Sequence, residues 1–288
     1  MAEPQPFSRI GPVLLTSPVV LSVPHAGRDY PADLAAMLRI PMQAAESLED
    51  RHADLLARQA AASGGVAGLV ARVPRLWIDL NRAEQEIDPE MTDPPLRGTA
   101  LIASAKVRGG LGLVPRRLHP HGDIWCHKLS VDAVAARIRT VHRPYHEALA
   151  QLLAQARMRF GVAVLIDLHS MPPIRQAAGQ PTARVVIGDR FGRSAAARIT
   201  ARAVAEARVA GLPVAINTPY AGAHMLDRHG DPRRGIHAIQ LEIDRSLYLA
   251  PGLREPGEGL PRIAGFVAAL AAGLAEEVTG WRDAAAAE

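Results

Sequence analysis

A single cysteine, Cys126, occurs in 288 residues, so no intrachain disulfide can form, which fits a reducing compartment. Phe, Tyr and Trp together make up only 4% of the chain, so Val, Leu, Ile and Ala must fill the core, and a hydrophobic content of 48% suffices for a substantial one. No Lys- or Arg-rich block breaks the interspersed charge, and the formal net charge is +4. Nucleic-acid binders present a clustered basic face with interleaved aromatics, so no nucleic-acid partner is expected. The N-terminal stretch MAEPQPFSRIGPVLL lacks a basic segment followed by a long apolar one, and it does not read as a signal peptide. No apolar run is expected to reach bilayer-spanning length, which argues against a membrane partner. No internal repeat and no domain boundary stand out. The expectation is one cytoplasmic domain covering residues 1–288.

What is present is a set of short apolar runs that end in polar groups. The clearest is VAVLIDLHSMP, from Val162 to Pro172, whose Val, Leu and Ile residues stop at Asp167, His169 and Ser170. A continuous apolar run of this kind predicts a strand buried on both faces, and open α/β sheets place their sites at the carboxyl ends of such strands. Val19–Val23 runs into Pro24-His25-Ala26-Gly27, Trp77–Leu80 runs into Asn81-Arg82, and Ala238–Asp244 carries Glu242 among Ile239, Leu241 and Ile243. Each is read as a strand. Together they deliver two imidazoles, a carboxylate and a guanidinium, which is the inventory of a mononuclear zinc hydrolase acting on an acidic substrate.

Strand signals alternate with helical ones, which predicts an α/β fold with a mixed, largely parallel central sheet flanked by helices. Helices are expected over Ala44–Ala62, Val131–Phe160 (broken or kinked at Pro144), Ser194–Ala210 and Pro261–Val278. Further strands are expected at Val66–Val73, Arg184–Gly188 and Val214–Ile216. Arg82–Gly112 and Pro219–Gly235 read as long loops, which in compact domains are commonly lids or binding loops.

Seven segments, in order, resemble the N-formylglutamate amidohydrolase family: SVPHAG (Ser22–Gly27), EDRH (Glu49–His52), RLWIDLNR (Arg75–Arg82), RPYHEAL (Arg143–Leu149), IDLHSMP (Ile166–Pro172), NTPYAGA (Asn217–Ala223) and HAIQLEIDRSLY (His237–Tyr248). The resemblance implies a zinc-carboxypeptidase or phosphorylase-hydrolase-like sheet and hydrolysis of N-formyl-L-glutamate to formate and glutamate, a last step of histidine breakdown. It implies one divalent metal, zinc, held by His25, His169 and a carboxylate. Asp50 of EDRH is the choice for that carboxylate, with Glu49 the alternative. The H-x-x-E spacing of the related carboxypeptidases is absent, because Arg28 stands three residues after His25.

By the same resemblance Glu242 is the general base. Asn81 and Arg82 clamp the substrate α-carboxylate, since Arg binds carboxylates through a planar fork. Arg75 would polarise the scissile carbonyl or hold a second carboxylate, and Tyr220 and Gly222 belong to a substrate-facing loop. Asp167 would orient a ligand histidine. Arg28, Arg75, Arg97 and Arg137 are candidates for a second substrate carboxylate. The expected partner is a small acidic N-acyl amino acid. Two other readings remain open on the sequence: an amidase or deacylase for another N-acyl amino acid or small peptide, and a non-catalytic binding protein on the same scaffold.

Overall fold

The computed structural model describes residues 5–96, 100–174 and 182–286, the last five of these by backbone alone; Arg97 lies outside the described residues. In chain order the elements are β1 (Phe7–Ile10), β2 (Val19–Val23), α1 (Leu34–Met37), α2 (Met42–Ala45), α3 (Ala53–Gly64), β3 (Ala67–Ala71), α4 (Ala105–Arg108), β4 (Arg117–Leu118), β5 (Gly122–Asp123), α5 (Val131–Arg137), α6 (Arg143–Phe160), β6 (Ala163–Met171), β7 (Val185–Gly188), α7 (Ala197–Val209), β8 (Val214–Ile216), α8 (His224–His229), β9 (Ile236–Asp244) and α9 (Leu260–Ala286). The chain forms two compact units. One comprises residues 1–8, 24–50 and 71–148, and the other residues 9–23, 51–70 and 149–288.

The second unit is built on a seven-stranded sheet of order β1-β3-β2-β6-β9-β7-β8, with the ends of β1 and β3 reaching the unit boundary. β2 pairs in parallel with β3 and β6, β6 with β9, and β7 with β8, while β7 and β9 run antiparallel. The sheet is therefore mixed and largely parallel, as the pattern predicts. β6 and β9 are its centre and are almost wholly buried, which is why they read as apolar runs rather than alternating ones. Helix α9 packs against both α3 and α7. Its buried stripe includes Ile263, Val267, Leu270, Leu274 and Val278, spaced to fall on one helical face. Over Leu260–Trp281 this helix is, by length and composition, apolar enough to cross a bilayer, contrary to the sequence expectation. That apolar stripe is taken up by packing within the unit.

The first unit has little regular structure: α1, α2, α4, α5, the start of α6 and the β4–β5 ribbon, joined by long connections. Two expectations are corrected here. Trp77–Leu80 is not a strand. Its residues form successive turns, and the buried Asp79 carboxylate accepts from the backbone N–H of Asn81 at 2.8 Å. A side chain that satisfies its own neighbouring backbone competes with ladder pairing. The Ala44–Ala62 helix is also interrupted. Glu49 is extended, His52 is left-handed with φ 60°, and α3 begins only at Ala53. As expected, a new segment starts at Pro144: residues Ile138–His142 form a π-turn between α5 and α6, and α6 begins at Arg143 with Pro144 in its first turn. The wider turn absorbs the missing N–H and ring bulk of proline. The loop Arg82–Gly112 contains α4, and Pro219–Gly235 contains α8.

Candidate active site

His25, which follows the end of β2 in the chain, belongs to the first unit and is buried. The backbone N–H of Asp50 donates to the His25 carbonyl at 2.9 Å, and this long-range bond brings the Asp50 carboxylate to the ring. His25 Nδ1 lies 3.4 Å from Asp50 Oδ2, and His25 Nε2 lies 2.7 Å from Asp79 Oδ1. The first distance is longer than an ordinary N–H···O bond. It is close to the roughly 3.4 Å that separates two donors bound about 2.1 Å from one tetrahedral zinc. Glu49 is directed elsewhere and accepts from the Tyr30 hydroxyl. Asp50, rather than Glu49, is thus the carboxylate beside His25.

Asp79 is the residue the sequence reading missed. It is 0% exposed, with Oδ1 on His25 and Oδ2 accepting from Arg75 Nε at 2.8 Å. Burial alone would raise its pKa, but the Arg75 charge, with those of His25 and Arg82 and the His25 hydrogen bond, holds it well below the usual carboxylate range. Its only sequence signal was an Asp inside an apolar run, and reading that run as a strand obscured it. Arg75 is accordingly no solvated surface arginine but the partner of Asp79. Arg82 is buried, with Nε donating to the Leu111 carbonyl at 3.0 Å and Nη1 to its neighbour's, Asn81, at 2.7 Å. Arg137 stacks over Trp77 at 3.4 Å from the ring centroid, and burial lowers its pKa to about 10. Its Nη1 donates to the Trp77 carbonyl at 2.9 Å.

In the second unit the register of β6 on β9 sets Asp167 beside Gln240 and His169 beside Glu242, on one face of the sheet. Asp167 takes a hydrogen bond from Ser22 Oγ at 3.1 Å and faces His169 Nε2 at 2.8 Å. His169 therefore has its Nε2 engaged by a carboxylate, as His25 does, with Nδ1 as its other ring nitrogen. Carboxylate-oriented imidazoles of this kind are the usual form of metal-ligating histidine. Glu242 is buried, and Gln240 Nε2 donates to its Oε1 at 3.0 Å. Arg245 does not take Glu242 as its Nε acceptor; that N–H goes to Ser170 Oγ.

The same face is roofed by the Asn217–Ala223 loop. A Cβ on Gly188, the register neighbour of Gln240, would come within 2.6 Å of the Ala221 backbone, so only glycine admits this approach. Gly222 has φ +94°, the left-handed region that favours glycine, and its carbonyl accepts from Arg190 Nη1 at 3.2 Å. Asn217 anchors the loop through its amide to Asp189, and Tyr220 within it is half-buried. Burial would raise the Asp189 pKa, but hydrogen bonds from Asn217, Thr200 and the Gly192 N–H outweigh this and lower it.

A family model described as N-formylglutamate amidohydrolase matches residues 17–249. The chain belongs to the N-formylglutamate amidohydrolase family. Within that family it is similar to N-formylglutamate deformylase of Pseudomonas aeruginosa, 28% identical over 240 residues that cover 81% of this chain and 82% of that protein. It is similarly 28% identical to the Pseudomonas putida deformylase over 243 residues, with the same coverage. The crystal structure of N-formylglutamate amidohydrolase from Ralstonia eutropha superposes with a TM-score of 0.87 at 33% identity, covering 96% of this chain and 99% of that one. A gene product of Agrobacterium tumefaciens shares the fold at a TM-score of 0.67 and 20% identity, covering 95% and 96% of the two chains. The amidohydrolase-family match spans every segment from SVPHAG to HAIQLEIDRSLY.

Proposed function

We propose that this amidohydrolase hydrolyses the formamide bond of N-formyl-L-glutamate, releasing formate and glutamate, with one zinc ion held by His25, Asp50 and His169. The observation that carries the reading is the pairing of each histidine with a buried carboxylate on Nε2, together with an Asp50 oxygen 3.4 Å from His25 Nδ1. Borderline nitrogen donors with one carboxylate are a donor set suited to zinc in a catalytic site. When bound, zinc polarises a carbonyl and makes water acidic near neutral pH.

The remaining work falls to the chain's own residues. Glu242 takes the proton from the attacking water and returns it to the leaving amine. Gln240 holds the Glu242 carboxylate in orientation. Asp79 and Asp167 fix the imidazole tautomers, and Arg75 keeps Asp79 ionised. Asn81 and Arg82 receive the substrate α-carboxylate, and the Asn217–Ala223 loop, with Tyr220 and Gly222, is the substrate-facing loop that the family resemblance implies. Formate and glutamate are the products expected of a step in histidine breakdown.

The test is a substrate panel on zinc-loaded protein. N-formyl-L-glutamate should be cleaved far faster than N-formyl-leucine or the diamide of N-formylglutamate, and faster than N-acetyl- or N-succinyl-glutamate. Preference for a neutral substrate would make the protein an amidase of different specificity on the same scaffold.

A further inference from the structure

The segment Trp77–Arg82 lies outside every strand, so its carbonyls need partners from elsewhere. One continuous helical stretch supplies three of them. Arg137 Nη1 donates to the Trp77 carbonyl at 2.9 Å, His146 Nε2 meets the Leu80 carbonyl at 2.9 Å, and His142 Nε2 meets the Arg82 carbonyl at 2.8 Å. A carbonyl only accepts, so each imidazole carries its hydrogen on Nε2.

The spacing explains why these three side chains converge. His142 and His146, four apart, share a helical face. Arg137 and His142 are five apart, and the π-turn Ile138–His142 inserts the extra residue that aligns them. Both histidines are 0% exposed, and their ring centroids stand 4.4 Å apart. The two carbonyls they hold belong to the Leu80–Asn81 and Arg82–Ala83 peptides, so the backbone is pinned on either side of the Asn81–Arg82 pair. Asp79, by contrast, has its own anchor, its N–H donating to the Leu113 carbonyl at 2.7 Å.

We infer that His142 and His146 are positioning residues that hold Asn81 and Arg82 in the conformation that binds the substrate carboxylate. This rests on the proposed role of Asn81 and Arg82. The histidines do not touch substrate. They replace the strand ladder that this segment lacks, so their loss lets the clamp relax while Asp79, held by Leu113 and Arg75, stays in place.

The experiment is steady-state kinetics with N-formyl-L-glutamate on His142→Leu, His146→Leu and the corresponding Gln variants of the zinc-loaded protein, with Arg82→Lys in parallel. Each Leu variant should raise KM about tenfold, with kcat within about threefold and metal content unchanged. Each Gln variant, whose amide N–H can stand in for Nε2–H, should restore KM to within about threefold. If a Leu variant does not fold, the Asn variant, too short to reach the carbonyl, is read in its place. The inference is overturned if the Leu or Asn variants keep wild-type KM, if kcat and metal content fall together with KM unchanged, or if Gln does not rescue. Arg82→Lys separates the two levels. A raised KM there with unaffected histidine variants removes this inference alone, whereas an unchanged KM removes the carboxylate role of Arg82 and this inference with it.

Discussion

Replacing Asp79 by Asn changes no volume and removes one charge at a fully buried position. Three contacts are altered at once: the 2.7 Å approach to His25 Nε2, the 2.8 Å bond from Arg75 Nε and the 2.8 Å bond from the Asn81 N–H. Breaking a buried ion pair by neutralising one partner costs about 3–5 kcal/mol, because the other charge is left uncompensated. Arg75 retains partial solvent access, with 19% of its side chain exposed, which places the expected loss of unfolding free energy at the lower end, about 3 kcal/mol. The amide can also donate to His25 Nε2 and so favour the wrong tautomer, leaving the hydrogen on Nδ1, the nitrogen that faces Asp50. Losing a carboxylate that orients a ligand histidine typically lowers metal affinity about 10–100-fold. Two measurements on Asp79→Asn decide the matter: chemical denaturation of the metal-free protein, and zinc affinity by chelator competition. A variant within about 0.5 kcal/mol of wild type that also binds zinc with unchanged affinity would refute the claim that Asp79 orients His25.

Glu242→Gln should retain fold and metal yet lose about 10²–10⁴-fold in kcat, and a near wild-type kcat would remove Glu242 from proton transfer. Asp50→Asn should lower metal content in elemental analysis while Glu49→Gln retains it; the reverse pattern would show that the ligand carboxylate is misassigned. Asp189 has a lowered folded pKa, so its stabilising contribution is present above the unfolded value of about 4 and is lost as pH falls through the folded one. Asp189→Asn should therefore flatten the acid side of the stability–pH curve, measured by denaturation at successive pH values, and an unchanged acid limb would contradict this.

Those residues differ in how readable they were. Glu242 and His169 were legible because they interrupt or end long apolar runs, and such runs in a mixed α/β chain become central strands buried on both faces. Residues two apart on a strand share a face, which is why Asp167 lies beside His169. The 77–82 segment was not legible. Its apolar Ile78 and Leu80 are buried, as in a strand, but the burial comes from turns tied to helix side chains rather than from a ladder. Local pattern reports burial and period, and it is silent on which partner satisfies a carbonyl.

What the sequence by itself determined was the fold class and the strands β2, β6 and β9, since these follow from hydrophobic periodicity and from where it stops. The tertiary structure decided the pairings. Asp50 stands beside His25 because a backbone bond joins positions 25 residues apart, and Asp79 reaches the same imidazole from 54 residues away. Arg75, expected to polarise the scissile carbonyl or hold a second carboxylate, has its Nε on Asp79, four residues along the chain. Contacts between residues distant in the chain are set by the packing of whole elements, and no local run of residues encodes them.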